Sequence, residues 1–408
     1  MAVLVMINHT IKITVICSLL FISTYTLAEG LVDIKPYVNA SINYDDNLFR
    51  FSSSEQAKAA FGSSNTSDVV KRVDLGVVVN LRLSRQLVTV SSSINESRYD
   101  RFDILNNTGK SNKLNWSWRL GNDLYGEISA SENEAISGFN EINKRVKNLR
   151  TTSRQLANIN WNLQPSWTLS ATREYGKSEN ELSSLNALNR EDDIYEAGLR
   201  YQNQRGTQLG VAYRVSDSTF PNRSGFEQVF YGDESSKKEI VVNAVWLPGA
   251  KTKVSTRLAK VNLDTKNLPQ RNFNGISQRW SLDHALTSKA NINLTAYQDV
   301  APIDDIISTY VKVTGFSVNP SWIVTDKIAV QAGVGYEERN YLGSAGILLS
   351  SVEFDRYDES KLARLSLTYT PTMKSLVALQ YQGEKRESNA SNANYQFNNI
   401  NLSLRYDF

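Results

Sequence analysis

INLSLRYDF, residues 400–408, closes the chain. Ile400, Leu402, Leu404, Tyr406 and Phe408 are apolar, and Asn401, Ser403, Arg405 and Asp407 between them are polar. Successive side chains of a strand point to opposite faces, so a period of two gives this segment one apolar and one polar face. The same period recurs upstream. Val73, Leu75, Val77, Val79, Leu81 and Leu83 share one parity, as do Leu114, Trp116, Trp118 and Leu120, and Ala157, Ile159, Trp161 and Leu163. No helical spacing is sustained in the body of the chain.

The alternating segments come in pairs joined by tight turns near 84–86, 121–123, 164–166, 203–206, 247–250, 287–289, 325–327 and 371–373. The turns recur roughly every 40 residues, the mark of a repeated hairpin. The connections between hairpins are longer and polar, for example 52–68, 132–151, 176–193, 217–238 and 337–355. Eight hairpins supply sixteen strands, and one strand before them (32–44) and one after (395–408) bring the count to eighteen. Both ends of the chain then fall on the short-turn side.

An even-stranded antiparallel meander, short-turned at one end and long-looped at the other, is the pattern of an outer-membrane barrel. In hydrocarbon every backbone N–H and C=O must be paired, and only a closed sheet has no edge. The expected fold is therefore all-β: a transmembrane up-and-down barrel of about 18 strands, apolar face to outer-membrane lipid and polar face to a lumen. Tyr99, Tyr125, Trp167, Tyr175, Trp246, Tyr336 and Tyr381 lie near strand ends and suit aromatic girdles.

Residues 1–28 read as a signal peptide, leaving 29–408 as a single barrel. His9 and Lys12 make a weak basic region, ITVICSLLFISTYTL (13–27) is the apolar stretch, and Thr26-Leu27-Ala28 resembles a cleavage site. Met1 and Met6 are alternative starts. The expected location is the outer membrane of a Gram-negative cell after cleavage. The only cysteine, Cys17, lies in the leader, so the remainder has no thiol chemistry. A net charge of +3 is too small for a nucleic-acid footprint, and no nucleic-acid partner is expected.

Catalysis, cofactor and metal sites are not expected. Outside the leader there is one histidine, His284, on the parity of Trp280 and Leu282, which places it toward lipid or the interface near a turn. Counting leaves no His- or Cys-type zinc site. The acidic pairs Asp45-Asp46, Asp192-Asp193 and Asp304-Asp305 fall in expected loops, where carboxylates are usually solvated or hold divalent ions loosely. On the polar parity, candidate lumen residues are Lys35, Tyr37, Arg72, Asp74, Arg82, Arg119, Arg154, Arg200, Arg257 and Arg405. Basic side chains slightly outnumber acidic ones on that face, which favours anionic solutes such as uronic-acid polymers.

Two stretches carry a resemblance. The alternating end with its aromatic final pair, Tyr406 and Phe408, resembles the assembly signal of Gram-negative outer-membrane proteins, which implies the barrel assembly machinery as a partner. YDDNLFR (Tyr44, Asp45, Asp46, Asn47, Leu48, Phe49, Arg50) follows PYVNASIN and resembles the N-terminal signature of EpsL-type outer-membrane proteins of exopolysaccharide operons, within the broad β-barrel porin group. The resemblance implies a passive conduit for export of a secreted polysaccharide, driven by synthesis or by periplasmic and inner-membrane export machinery. It brings no catalytic residues. The same fold serves a general or substrate-selective diffusion porin, or a structural or adhesin barrel without a through-pore. Within YDDNLFR two arrangements are open: an Asx turn with Leu48 and Phe49 on the rim, or a constriction in which Arg50 pairs with Asp45 or Asp46 inside the mouth.

Overall fold

A computed structural model describes residues 31–140, 146–302, 310–342, 356–390 and 393–408. Its strands are β1 (Val32–Asp45), β2 (Asp68–Leu83), β3 (Gln86–Tyr99), β4 (Asn107–Leu120), β5 (Leu124–Ile136), β6 (Leu149–Gln164), β7 (Trp167–Asn180), β8 (Arg190–Gln202) and β9 (Gln208–Thr219). The second half continues with β10 (Glu234–Gly249), β11 (Thr252–Thr265), β12 (Phe273–Ala285), β13 (Ala290–Pro302), β14 (Tyr310–Thr325), β15 (Ile328–Leu342), β16 (Tyr357–Thr372), β17 (Ser375–Ser388) and β18 (Tyr395–Asp407). Two short helices, α1 (Ser54–Phe61) and α2 (Phe226–Tyr231), sit in long connections. Among the described residues no helix is long and apolar enough to cross a membrane.

Each strand pairs antiparallel with its neighbours in sequence, and β1 pairs with β18 from Tyr37↔Asp407 to Asp45↔Asn399, so the eighteen-stranded sheet closes on itself. INLSLRYDF is one side of that seam. Phe408 donates its backbone N–H to the Pro36 carbonyl (3.0 Å), and its ring meets Tyr406 edge-on at 5.2 Å on the outer face. The tight turns need left-handed backbone, supplied by Ser84, Gly121 and Gly206 at φ 57, 61 and 81.

The outer surface carries the apolar parity: Ile34, Leu75, Ile159, Trp246, Trp322 and Leu404 are all about half exposed. Only a lipid environment makes that arrangement favourable, because each such side chain would otherwise cost roughly 25 cal/mol per Å² of apolar surface left in water. The strands run 12 to 16 residues, beyond the roughly 9–11 that cross a bilayer. The expected loops 132–151, 176–193, 217–238 and 337–355 are accordingly shorter than the sequence pattern indicates. Past the hydrocarbon both faces meet water, so the ladder continues while the alternation fades.

Two readings are corrected for related reasons. Asp192 and Asp193 lie inside β8, the first facing inward with Arg190 (2.9 Å) and the second outward with Arg173 (3.0 Å). Tyr99 and Tyr125 are not girdle residues; both fall on the inward parity, Tyr99 buried in the mouth and Tyr125 against Arg200. Asp304, Asp305 and the 1–28 leader lie outside the described residues.

Candidate functional site: the lumen and its mouth

In outer-membrane barrels the long-loop end is the outer end. There, YDDNLFR forms an Asx turn and an Arg50–Asp45 ion pair on the same carboxylate. Asp45, last residue of β1, accepts the Asn47 N–H at 2.9 Å in an Asx turn, and Asn47 reciprocates around Phe51 (2.8 and 3.0 Å). Arg50 holds the same Asp45 with two parallel 2.9 Å hydrogen bonds and also donates to the Asn47 carbonyl. Its guanidinium lies 3.5 Å over the Phe397 ring. Asp46 accepts both the backbone and side-chain N–H of Asn398 (2.7 and 2.8 Å). Phe397 and Asn398 belong to β18, so the motif clasps the seam from above.

Arg50 holds this position at φ 58, a left-handed backbone that costs a non-glycine residue about 1 kcal/mol or more. Arg50→Ala is expected to raise single-channel conductance by freeing the loop from Phe397. Arg50→Gly, which also relieves the backbone, is expected to do the same with less loss of stability. Unchanged conductance in both would leave Arg50 a turn residue only.

Beyond the motif the first long connection, 46–67, turns into a small aromatic core. Phe49, fully buried, meets Phe51, Phe61, Phe102 and Phe139 with ring centroids 4.7–6.2 Å apart, within the range of favourable aromatic pairing. Phe102 comes from the second connection and Phe139 from the third; Tyr99 and Val70, on inward positions of β3 and β2, pack beneath. The α1 helix is capped for this role by Ser53, whose side chain accepts the Gln56 N–H, and by Gly62 in left-handed geometry. The third connection reaches further. The Asn140 carbonyl accepts from Arg386 of β17 at 3.2 Å, six strands round the wall from β5. Three connections thus form a cap over one arc of the mouth. Leu48 lies in the cap core, while Tyr44 stays on the outer face.

Below the cap the wall is polar. Lys35 pairs with Asp33 (2.7 Å) near the short-turn end. Tyr37 lies across Gly76, where a Cβ would come within 2.4 Å of the ring, and Arg405 lies 3.9 Å above Tyr37 while binding Asp407 (2.7 Å). Arg72 binds Asp74 (2.6 Å), which also accepts from Asn39 (3.0 Å). Arg154 binds Glu174 (2.6 Å), and Arg82 shares the inward parity of β2.

Arg257 binds buried Glu239 (3.0 Å), which Lys237 (3.5 Å) and Arg214 (3.7 Å) also approach. Directly opposite Arg257 in the ladder stands Arg279, over the Tyr297 ring at 4.6 Å. Like charges in register are unfavourable without an anion between them. Arg119 and Arg200 both face Tyr125, at 5.3 Å from its ring and 3.4 Å from its hydroxyl. Among the described residues Arg119, Arg200 and Arg279 have no carboxylate partner.

His284 lies beside the turn after β12 with Nδ1 2.9 Å from the Thr252 hydroxyl. Among the described residues no group of three or more His, Cys, Asp or Glu is placed to hold a metal ion. Sequence parity alone identifies Arg214 and Arg279 as inward residues. Nothing periodic identifies Phe102, Phe139 or Asn140.

No family model matches this chain, and no curated protein matches its sequence. Among solved structures, OccK2 (OpdF) of Pseudomonas aeruginosa, in complex with glucuronate, is 10% identical with a TM-score of 0.51, covering 92% of this chain and 98% of that one. OpdK, an outer membrane protein of the same organism, is 9% identical with a TM-score of 0.48 over 92% and 99%. The siderophore receptor PirA, also from P. aeruginosa, is 7% identical with a TM-score of 0.47 over 92% and 80%. The likeness to OccK2 shows a shared fold, a closed barrel of antiparallel strands.

Proposed function

We propose that this protein is a substrate-selective diffusion channel of the outer membrane, preferring small anionic solutes. The observation that carries the proposal is the set of lumen guanidiniums without carboxylate partners, Arg119, Arg200 and Arg279. Fixed unpaired cations in a pore concentrate anions and exclude cations. The cap over one arc favours small solutes over a polymer. OccK2, with the same fold, was solved with a sugar acid bound, which supports carboxylated sugars as the class. The chain reaches the membrane by removal of the 1–28 leader and by assembly machinery that reads Tyr406 and Phe408.

A second reading, export of a secreted polysaccharide with periplasmic and inner-membrane partners, is favoured by the YDDNLFR resemblance and by the amide-rich wall of Asn39, Asn158, Asn160 and Asn401. Loss of polymer secretion in a deletion strain would favour it.

The test is the reversal potential of the purified protein in a planar bilayer under a KCl gradient. Anion selectivity is expected, falling several-fold in the triple variant Arg119→Gln, Arg200→Gln, Arg279→Gln. A cation-selective wild-type channel would overturn the proposal.

A further inference from the structure

Between β7 and β10 the lumen wall is dented. Gly198 and Ala212 face each other across β8 and β9, as do Arg200 and Gly210, and the missing side chains leave a recess of about 280 Å³. That is at the small end for ligand sites, which span roughly 300–1,000 Å³. Glu196, Arg200, Ser170 and Asn243 line it. These residues stand on inward parity, so the recess opens to the channel and not to lipid.

The lining is chemically specific. Arg200 is held only by the long contact to Tyr125, and its Nε is buried with no hydrogen-bond partner among the described residues. A buried unsatisfied guanidinium N–H is costly, and a carboxylate is its natural complement. A second cation stands beside the recess on the next strand: Arg257 is in register with Asn243, with Glu239 engaging part of its charge. Glu196 lies on the same wall, 3.6 Å from Arg214. A carboxylate there repels a bare multivalent anion but accepts hydroxyl hydrogens. Asn243 and Ser170 add further donors and acceptors.

We infer that this recess is a binding subsite for a hydroxylated monocarboxylate of monosaccharide size, a sugar acid whose carboxylate meets Arg200 and whose hydroxyls meet Glu196, Asn243 and Ser170. The inference rests on the channel reading above and deepens it. The subsite gives solutes a resting place on the wall, so transport through it saturates.

Block of single-channel current by sodium glucuronate tests it, with glucose and acetate as comparison probes. Gly210 provides a steric variant that leaves charge alone. A Cβ there meets its neighbours at 3.6–3.8 Å, ordinary contact, so Gly210→Val fills the recess without displacing backbone. Glucuronate is expected to block saturably and better than either comparison probe. Gly210→Val and Arg200→Gln are each expected to raise the half-blocking concentration about tenfold or more. Gly335→Val, at a lumen glycine of β15 with similarly open surroundings, is expected to leave block unchanged. Block that is insensitive to both Gly210→Val and Arg200→Gln, or equal block by glucose, would overturn the subsite while wild-type anion selectivity stands. Loss of wild-type anion selectivity would instead overturn the channel reading.

Discussion

Replacing Phe49 with alanine is expected to open the cap while leaving the barrel closed. The ring is wholly buried and touches aromatics from three different connections. Removing it leaves a cavity that its neighbours cannot readily fill, because they are fixed to three different loops. A large-to-small change at such a site costs about 3–5 kcal/mol. The cost falls on the 46–67 loop and its partners, since the strand ladders make no use of Phe49. Lys58, exposed on α1, reports the opening. Trypsin cuts it only when the helix unfolds, and in the fast-reclosing regime its rate follows the open population. The cutting rate should rise on the order of 10²- to 10³-fold, with a larger and noisier single-channel current. Phe226→Ala, a half-exposed aromatic in the connection after β9, should leave cutting at Lys58 unchanged. If Phe49→Ala is cut no faster than the parent, the aromatic cluster is not what holds the loop.

What the sequence discloses of this molecule follows from where water and lipid meet. Within the hydrocarbon span the two faces of each strand see different solvents, so Val73 to Leu83 and Ile400 to Phe408 must alternate, and strand number and closure can be read from them. Above that span both faces are wet. Asp192 and Asp193 therefore look like loop residues although they sit in β8. Tyr99 and Tyr125 look like girdle residues because position near a strand end is visible in sequence, while their inward parity becomes decisive only when the neighbouring strand is in register. The cap is the least legible part. Phe49, Phe102 and Phe139 lie in three separate connections without periodicity, and only the closed barrel brings those connections together. YDDNLFR was readable as a turn or as an Arg–Asp pair because its residue types serve either, and the fold uses one carboxylate, Asp45, for both.

The buried ion pair on the far side of the mouth should give the second large effect. Asp358 is fully buried and accepts from Arg386 (2.5 Å), Arg356 (3.0 Å) and the Tyr341 hydroxyl (2.8 Å). Arg386 spends its other terminal nitrogen on the Asn140 carbonyl. One side chain thus neutralises a buried carboxylate and tethers the third connection. Arg386→Met should cost about 3 kcal/mol, the low end for breaking a buried pair, because Arg356 still offsets part of the charge. It should also release Asn140 from β17. Adding Asp358→Asn removes the stranded charge, so the double variant should recover most of the stability in urea unfolding from detergent. It cannot restore the tether, since methionine offers Asn140 no donor. Open-channel noise should therefore stay high in the double variant while its unfolding midpoint returns toward the parent. Stability and tethering are separable on this logic only if they are two jobs of the same guanidinium. A double variant as quiet as the parent channel would mean that the Asn140 contact restrains nothing and that the third connection is held by Phe139 and by the hydrogen bonds of Lys147 to Asn106 and of Asn148 to Asn180.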